Sequence, residues 1–158
     1  MISTVAVDAR DEAISFAGES LDGEPLAVED FRGKPTVVVV WWSGCPPCRR
    51  EAPWVVGAAD ELGDDAHFVG INIRDSGTAQ AQAYERAFGV EFPSFSSPGG
   101  EAMLAFPGVL GPRTIPAFVV LDAYGRVAAS ILGSLPSQQT LVDLATDVSN
   151  EADETRDG

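Results

Sequence analysis

Apolar and polar positions along the chain alternate in blocks, and these blocks predict a mixture of strands and helices. Residues 36–40 form an uninterrupted β-branched run, which is typical of a central strand covered on both faces. Residues 67–73, HFVGINI, have the same character and predict a second buried strand. Residues 117–121 and 126–132 flank the turn sequence DAYG, so they predict a hairpin.

Three segments with helical spacing follow these strands. The first covers residues 47–62 and begins at a proline, which suits a first turn because the N–H that proline lacks would have no partner inside the helix. The second covers residues 78–88, and the third covers residues 137–148 with Ser137 as its N-cap. The predicted order of elements is therefore βαβα followed by ββα.

The remaining segments set the domain boundaries. Residues 14–31 place the turn sequence DG between two short patterned runs and predict a further hairpin, whereas residues 93–112 are rich in Gly, Pro and Ser and predict a loop-rich connection. A chain of 158 residues with 45% hydrophobic residues can bury a hydrophobic core that is large enough to fold without structural disulfide bonds or metal ions. We therefore expect one domain over residues 1–149 and an acidic, disordered tail over residues 150–158.

The chain is strongly acidic, with 10 Lys and Arg residues against 24 Asp and Glu residues and a formal net charge of -14. Long-range repulsion then opposes binding to nucleic acid or to an anionic bilayer and favours neutral or basic partners. The longest apolar run, residues 36–42, is far shorter than the ~20 residues of a membrane-spanning helix, so we expect no membrane insertion. Residues 1–13 lack signal-peptide features, so we expect either a cytoplasmic protein or the loss of a targeting segment.

Both cysteines lie three residues apart in the stretch WWSGCPPCRREAP, residues 41–53. A disulfide that closes so small a loop contributes little stability, which indicates that the pair serves reactivity. A cysteine at a helix N-terminus faces unpaired N–H groups and the positive end of the helix dipole, and both favour the thiolate. We therefore expect Cys45 to be the nucleophile and Cys48, one turn later, to resolve the mixed disulfide.

Other uses of two cysteines fit less well. Zinc needs about four ligands, and His67 is the single histidine; c-type haem needs a histidine where Arg49 follows Cys48. A purely structural pair stays an alternative, and we expect no metal and no organic cofactor. Because Pro46 and Pro47 offer no backbone donors to a thiolate, the sequence favours a reducing over a strongly oxidising couple.

The order of elements, with C-x-x-C between the first central strand and its helix, resembles the thioredoxin fold. A closer resemblance is to the TlpA/ResA-like, AhpC/TSA-related thiol-disulfide oxidoreductases, carried by LDGEPLAVEDFRGKP, WWSGCPPCRREAP, VGINIRDS, FGVEFP and TIPAFVVLDAYGRV over residues 14–148. It implies an α/β thioredoxin-like fold: a central mixed β-sheet flanked by helices, with an N-terminal β-hairpin extension. One departure is Gly44, which stands where the family usually has Trp before the first cysteine.

The resemblance also assigns site residues. It implies a cis peptide bond before Pro116 and substrate contacts at Ile115 and Pro116, and at Gly44 and Pro46 on either side of Cys45. The contacts that the family's Trp ring makes are not carried over to Gly44.

Resolution by Cys48 needs a proton acceptor. The resemblance implies Asp75, which follows the second central strand. Alternatively, Asp75 is a solvent-exposed acid whose charge is neutralised by Arg74. In that case Glu51 or a bound water would accept the Cys48 proton.

The resulting expectation is a thiol-disulfide oxidoreductase that reduces protein disulfides and receives electrons from an upstream dithiol donor. Family members of this kind usually work outside the cytoplasmic membrane, several of them on apocytochrome c or other exported proteins. By resemblance we expect an extracytoplasmic, monomeric protein, with a cytoplasmic one as the alternative. A non-catalytic module that binds partners beside Pro116 is the alternative function.

Overall fold

A six-stranded sheet forms the centre of the protein in a computed structural model, which describes the backbone of residues 1–157 and the side chains of residues 1–151. The strands are β1 Ile2–Thr4, β2 Ala17–Glu19, β3 Pro25–Ala27, β4 Thr36–Trp41, β5 His67–Asn72, β6 Ser94–Ser96, β7 Ala117–Leu121 and β8 Val127–Leu132. The α-helices are α1 Pro46–Leu62, α2 Thr78–Phe88 and α3 Gln138–Asp157. Short 3-10 segments are Val7–Ala9, Val28–Phe31, Gly63–Asp65 and Glu101–Ala105.

The sheet has the order β1-β8-β7-β4-β5-β6, and β2 and β3 form a separate two-stranded hairpin. Strand β4 pairs in parallel with β5 and antiparallel with β7, so the sheet is mixed. All six residues of β4 are buried, which explains its uninterrupted apolar sequence. The α/β thioredoxin-like class, the central sheet and the N-terminal hairpin predicted from the sequence are confirmed.

The two faces of the sheet carry different layers. Val37 and Val39 of β4 point to one face, where side chains of all three α-helices pack. Val38 and Val40 point to the opposite face, which is covered by the hairpin and by the loop that holds Phe106. Because alternate residues of β4 serve both cores, the end of this strand is held rigidly, and the segment that follows it begins from a fixed position.

Two strands and one helix end differ from the sequence predictions. The sequence did not predict β1, whose three residues are exposed and gain their strand conformation by pairing with β8. The predicted loop over residues 93–112 contains β6, a short parallel strand beside β5.

Helix α3 does not end at residue 148. Its backbone continues to Asp157, and Glu151 on it forms an ion pair with Arg10 at 2.9 Å. The helix thus runs through most of the segment predicted as a disordered tail, residues 150–158, of which Gly158 lies outside the described residues. The division between a domain over residues 1–149 and a tail stays a prediction.

Candidate active site

The two cysteines lie where β4 passes into α1. Cys45 is the N-cap of α1 and Cys48 lies in its first turn; a disulfide of 2.11 Å joins their sulfurs, with the Cα atoms 5.2 Å apart. The Cys48 N–H donates a hydrogen bond to Cys45 Sγ at 3.2 Å. Both side chains are buried, with Cys45 3% and Cys48 5% exposed.

Backbone donors near Cys45 Sγ are few because Pro46 and Pro47 occupy the first two helical positions. The N–H of Cys48 is the first donor that the helix offers after them. A thiolate at Cys45 would therefore receive one direct backbone hydrogen bond together with the field of the helix dipole. This arrangement supports the sequence argument that the prolines restrain the stabilisation of the thiolate.

The segment between β4 and α1 is held at Ser43. Asp75 accepts hydrogen bonds from the Ser43 backbone N–H, at 3.1 Å, and from the Ser43 hydroxyl. The Ser43 carbonyl accepts a hydrogen bond of 2.8 Å from Arg49 Nη1. Asp75 is itself buried and accepts a third bond, of 2.8 Å, from Asn72 Nδ2. The structure therefore brings Asp75 to the site, in contact with the residue two positions before Cys45.

Gly44 has a packing reason that the sequence did not reveal. A Cβ atom on Gly44 would lie 2.3 Å from the ring of Trp42, so a side chain there would force that ring to move. Trp42 thus occupies the space beside Cys45 that a residue at position 44 would need. Gly44 and Pro46 are both exposed, one on each side of Cys45.

The loop before β7 lies against the same helix end. The Ile115–Pro116 peptide bond is cis, the isomer that the resemblance implies. Pro116 lines a small cavity together with Cys48, and Ile115 packs against both hydrophobic cores. The predicted substrate contacts of Ile115, Pro116, Gly44 and Pro46 remain predictions.

Glu51 is a buried acid in the same cavity, whose volume is about 20 Å³. Its carboxylate accepts a hydrogen bond from the Leu135 N–H, and Ser134 contributes another. Burial raises the pKa of Glu51 above the ordinary glutamate value, partly offset by these bonds. The cavity has the volume of about one water molecule, and Glu51 and Cys48 both line it.

An aromatic group supports the first turn of α1 from the side. Tyr84 donates a hydrogen bond from its hydroxyl to the Cys48 carbonyl at 3.0 Å and stacks on Trp41, with ring centroids 4.5 Å apart. The Arg49 guanidinium lies 5.6 Å from the centroid of the Tyr84 ring. Burial raises the pKa of Tyr84 to about 12, so its hydroxyl stays a donor at physiological pH.

Most of these residues can be predicted from the sequence, but not all. The structure brings together Cys45, Cys48, Asp75 and Pro116. Tyr84 was missed because no local pattern links position 84 to position 48. The helical spacing of three residues between Cys48 and Glu51, both buried, was the signal that could have given Glu51 more weight.

Within the part of the chain that the structure describes, no group of three or more His, Cys, Asp or Glu side chains is placed to hold a metal ion. Over the same residues, no helix combines the length and the apolar character that a membrane span requires.

A C-x-x-C pair at the start of a helix, beside a cis-proline and on a mixed six-stranded sheet, defines a thiol-disulfide oxidoreductase of the thioredoxin fold. The chain belongs to the Redoxin family, whose model matches residues 8–148. This agrees with the resemblance seen in the sequence.

Individual relatives agree with this class. The chain is 33% identical to the thiol:disulfide interchange protein HelX of Rhodobacter capsulatus over 126 residues, 78% of this chain and 68% of that protein. It is 24% identical to the thiol-disulfide oxidoreductase ResA of Halalkalibacterium halodurans over 131 residues, 82% and 72% of the two chains. A secreted thiol-disulfide isomerase from Corynebacterium glutamicum superposes with a TM-score of 0.89 at 25% identity, covering 95% of this chain and 92% of that one. The enzyme is thus favoured over the non-catalytic module.

Proposed function

We propose that the protein reduces disulfide bonds in other proteins, with Cys45 as nucleophile and Cys48 as resolving thiol. The observation that carries this proposal is the Cys45–Cys48 disulfide at the N-terminus of α1, beside Pro116. The donor-poor first turn at Pro46 and Pro47 favours the reducing direction, because a weakly stabilised thiolate gives up its electrons more readily.

The reaction has two exchange steps. In the reduced protein the Cys45 thiolate attacks one sulfur of the substrate disulfide, forms a mixed disulfide and releases the first substrate thiolate. Cys48 then loses its proton and its thiolate attacks Cys45 Sγ, which releases the second substrate thiolate and forms the Cys45–Cys48 disulfide. Two electrons pass to the substrate, and an external protein dithiol donor returns two electrons to the pair.

The proton of Cys48 has two candidate acceptors. The resemblance proposes Asp75, whose carboxylate already accepts three hydrogen bonds, from Ser43 and Asn72. These bonds direct the Asp75 carboxylate toward Ser43 and Asn72. Glu51 lines the cavity that also contacts Cys48, and its burial raises its pKa. We favour Glu51 for this reason and retain Asp75 as the prediction from the resemblance.

For the cellular setting we propose an extracytoplasmic, monomeric protein that acts on exported proteins, apocytochrome c among the candidates. Support comes from the secreted isomerase that shares this fold and from the likeness to ResA. The negative net charge opposes binding of the protein to an anionic bilayer.

The test is the reduction of insulin with dithiothreitol as electron donor. We expect turnover by the parent, none by Cys45→Ser, and a trapped mixed disulfide at Cys45 in Cys48→Ala. Equilibration of the parent with glutathione buffers then gives the direction, and we expect a potential nearer to about -270 mV than to about -120 mV. An absence of turnover in the parent would refute the enzyme, and a potential above about -180 mV would refute the reducing direction.

A further inference from the structure

Basic side chains are scarce in this chain, yet four of its ten surround the active site: Arg49, Arg50, Arg74 and Arg113. Arg49 and Arg50 directly follow Cys48 on α1. Arg74 lies just after β5 and Arg113 lies in the loop before Pro116. All four residues are exposed, and together they are called the arginine rim below.

Hydrogen bonds link the segments that carry Arg49, Arg74 and Arg113. Arg49 donates to the carbonyl of Ser43, and Ser43 is bound by Asp75, the neighbour of Arg74. Arg74 Nη2 donates to the carbonyl of Pro112 at 2.7 Å, which places Arg74 beside Arg113. The rim therefore extends from the first turn of α1 to the loop that carries Pro116.

The arginine rim forms no ion pair with a described side chain, although Arg50 lies close enough to the Glu51 carboxylate to offset part of the rise in pKa that burial causes in that group. Among the described residues, the ion pairs involve Arg10 and Arg126 and none involves a rim residue. The acids nearest to the rim in the site are Asp75 and Glu51, which are only 8% and 5% exposed and hydrogen-bond inward. A partner that docks over Cys45 therefore meets exposed guanidinium groups that form no ion pair with a described carboxylate.

The backbone of Arg74 has an unusual conformation. Its φ of 60° lies in the left-handed region, which is unfavourable for residues other than glycine. Its N–H donates to the Pro98 carbonyl at 3.0 Å while its side chain reaches Pro112. Backbone strain of this kind concentrates at functional sites, and here it keeps a guanidinium at the edge of the site where a glycine would fit without strain.

The arginine rim is positive whereas the protein as a whole is negative, so the effect on a docked partner depends on the distance over which charges act. A net charge of -14 would repel an acidic partner at long range. At about 0.15 M salt, however, the Debye length is about 8 Å, so a docked segment is affected mainly by the charges that it touches. Those charges belong to the arginine rim.

We propose that the arginine rim selects protein disulfides flanked by acidic residues. The inference rests on the proposed function and specifies the substrate class of the same site. An exposed pair of opposite charges typically contributes a factor of about 2 in binding, so two or three pairs give a preference of about 4- to 8-fold.

The experiment uses three cyclic peptides, each with one internal disulfide flanked by Asp, Ser or Lys. Stopped-flow tryptophan fluorescence follows oxidation of the reduced protein at 0.15 M salt. Each rate is divided by the rate at which cysteamine reduces the same peptide. The reactive ammonium–thiolate form of cysteamine has no net charge, so the ratio removes intrinsic differences in reactivity. We expect the Asp peptide to react about 4- to 8-fold faster than the Ser peptide, and the preference to disappear at 1 M salt, where the Debye length is about 3 Å.

Variants assign the preference to the arginine rim. Arg50 and Arg113 have exposed side chains with no hydrogen bond to another described residue, so the double variant Arg50→Gln, Arg113→Gln should fold and should reduce the preference to less than about 2-fold. Arg86→Gln, on the exposed face of α2, is the matched control and should leave the preference unchanged. Equal rates for the three peptides, or a preference for the Lys peptide, would overturn the proposal while leaving the reductase function intact. Failure of all three peptides to react would instead refute the proposed function.

Discussion

The carboxylate of Asp75 holds Ser43 by two atoms, because it accepts hydrogen bonds from both the backbone N–H and the hydroxyl of that residue. Ser43 lies two positions before Cys45, and its third polar group, the carbonyl, is bound by Arg49. Every polar atom of Ser43 is thus fixed by a side chain. Asp75 therefore has a positioning role that does not depend on whether it also accepts a proton.

The first prediction concerns Asp75→Asn. The neutral amide would lose the charge-assisted bonds that the carboxylate accepts from Ser43 and Asn72, and its nitrogen would require the Ser43 hydroxyl to turn and accept. We therefore expect the free energy of unfolding to fall by about 1–3 kcal/mol. A loosened loop should slow the attack by Cys45 and the resolution by Cys48 by similar factors at pH 7 and at pH 9. Urea unfolding and stopped-flow kinetics measure both effects. A defect confined to resolution, and relieved at high pH, would instead identify Asp75 as the proton acceptor that the resemblance implies.

The second prediction concerns Glu51→Gln. The amide oxygen can still accept the Leu135 N–H, so the fold should be kept. If the carboxylate accepts the Cys48 proton, resolution should slow by about 10²- to 10⁴-fold at pH 7. The defect should shrink as pH rises, since hydroxide can then deprotonate Cys48 without help.

The parent enzyme provides the complementary pH test for Glu51. Below its raised pKa the carboxyl is protonated and cannot act as a base, so resolution should slow as pH falls through that value. Glu61→Gln, an exposed glutamate on the same helix, is the matched control and should resolve as fast as the parent. Equal kinetics of Glu51→Gln and Glu61→Gln at all pH values would exclude Glu51 as the acceptor.

The third prediction compares the two tyrosines. Tyr84→Phe removes the buried hydrogen bond to the Cys48 carbonyl, so we expect the free energy of unfolding of the oxidised protein to fall by about 1 kcal/mol. Tyr124 is 68% exposed, and Tyr124→Phe should change stability by less than about 0.5 kcal/mol. Urea unfolding of both variants measures the difference. Equal stability of the two would show that the bond from Tyr84 contributes nothing to the first turn.

Most of the fold could be predicted because its central strands are continuous apolar runs bounded by breaking residues. Strands β4, β5 and β7 are buried on both faces, and for this reason they consist almost entirely of apolar residues. Strand β1 could not be predicted in this way, because its residues are exposed and its conformation depends on pairing with residues 129–131 far along the chain. Strand β6 could not be predicted either, because two of its three residues are serines and it lacks an apolar run. One of these serines accepts a hydrogen bond from the Trp41 indole.

Within the active site, too, features with a local sequence signal could be predicted and features that depend on distant contacts could not. Cys45, Cys48 and their roles follow from local chemistry at a helix N-terminus, which the sequence displays in four adjacent residues. The bond between Tyr84 and the Cys48 carbonyl, and the placement of Trp42 over Gly44, depend on how side chains pack in three dimensions. Such contacts carry no periodic signal, so sequence patterns cannot reveal them.

A surface cleft away from the cysteines contains an acid with a shifted pKa. Glu85 on α2 lines this cleft with Asp22 and Glu91. Burial, and to a lesser extent the neighbouring Asp22 carboxylate, raise the pKa of Glu85 to about 7. The ordinary value is 4.5, so folding favours the neutral form of this side chain.

The last prediction is a gain in stability for Glu85→Gln that depends on pH. Below about pH 4.5 the Glu85 carboxyl is protonated in both the folded and the unfolded state, so it does not affect stability. As pH rises from 4.5 toward 7, only the unfolded state loses this proton, so the free energy of unfolding falls. Above pH 7 the carboxyl is ionised in both states and the full loss of stability remains. The shift sets an upper limit of about 3 kcal/mol, which partial exposure reduces to about 1–2 kcal/mol. Glu85→Gln should therefore be more stable than the parent by this amount at pH 8 and equal to it at pH 4 in urea unfolding. Glu91→Gln, an exposed acid in the same cleft, is the control, and a similar gain in both variants would attribute the effect to net charge rather than to burial of Glu85.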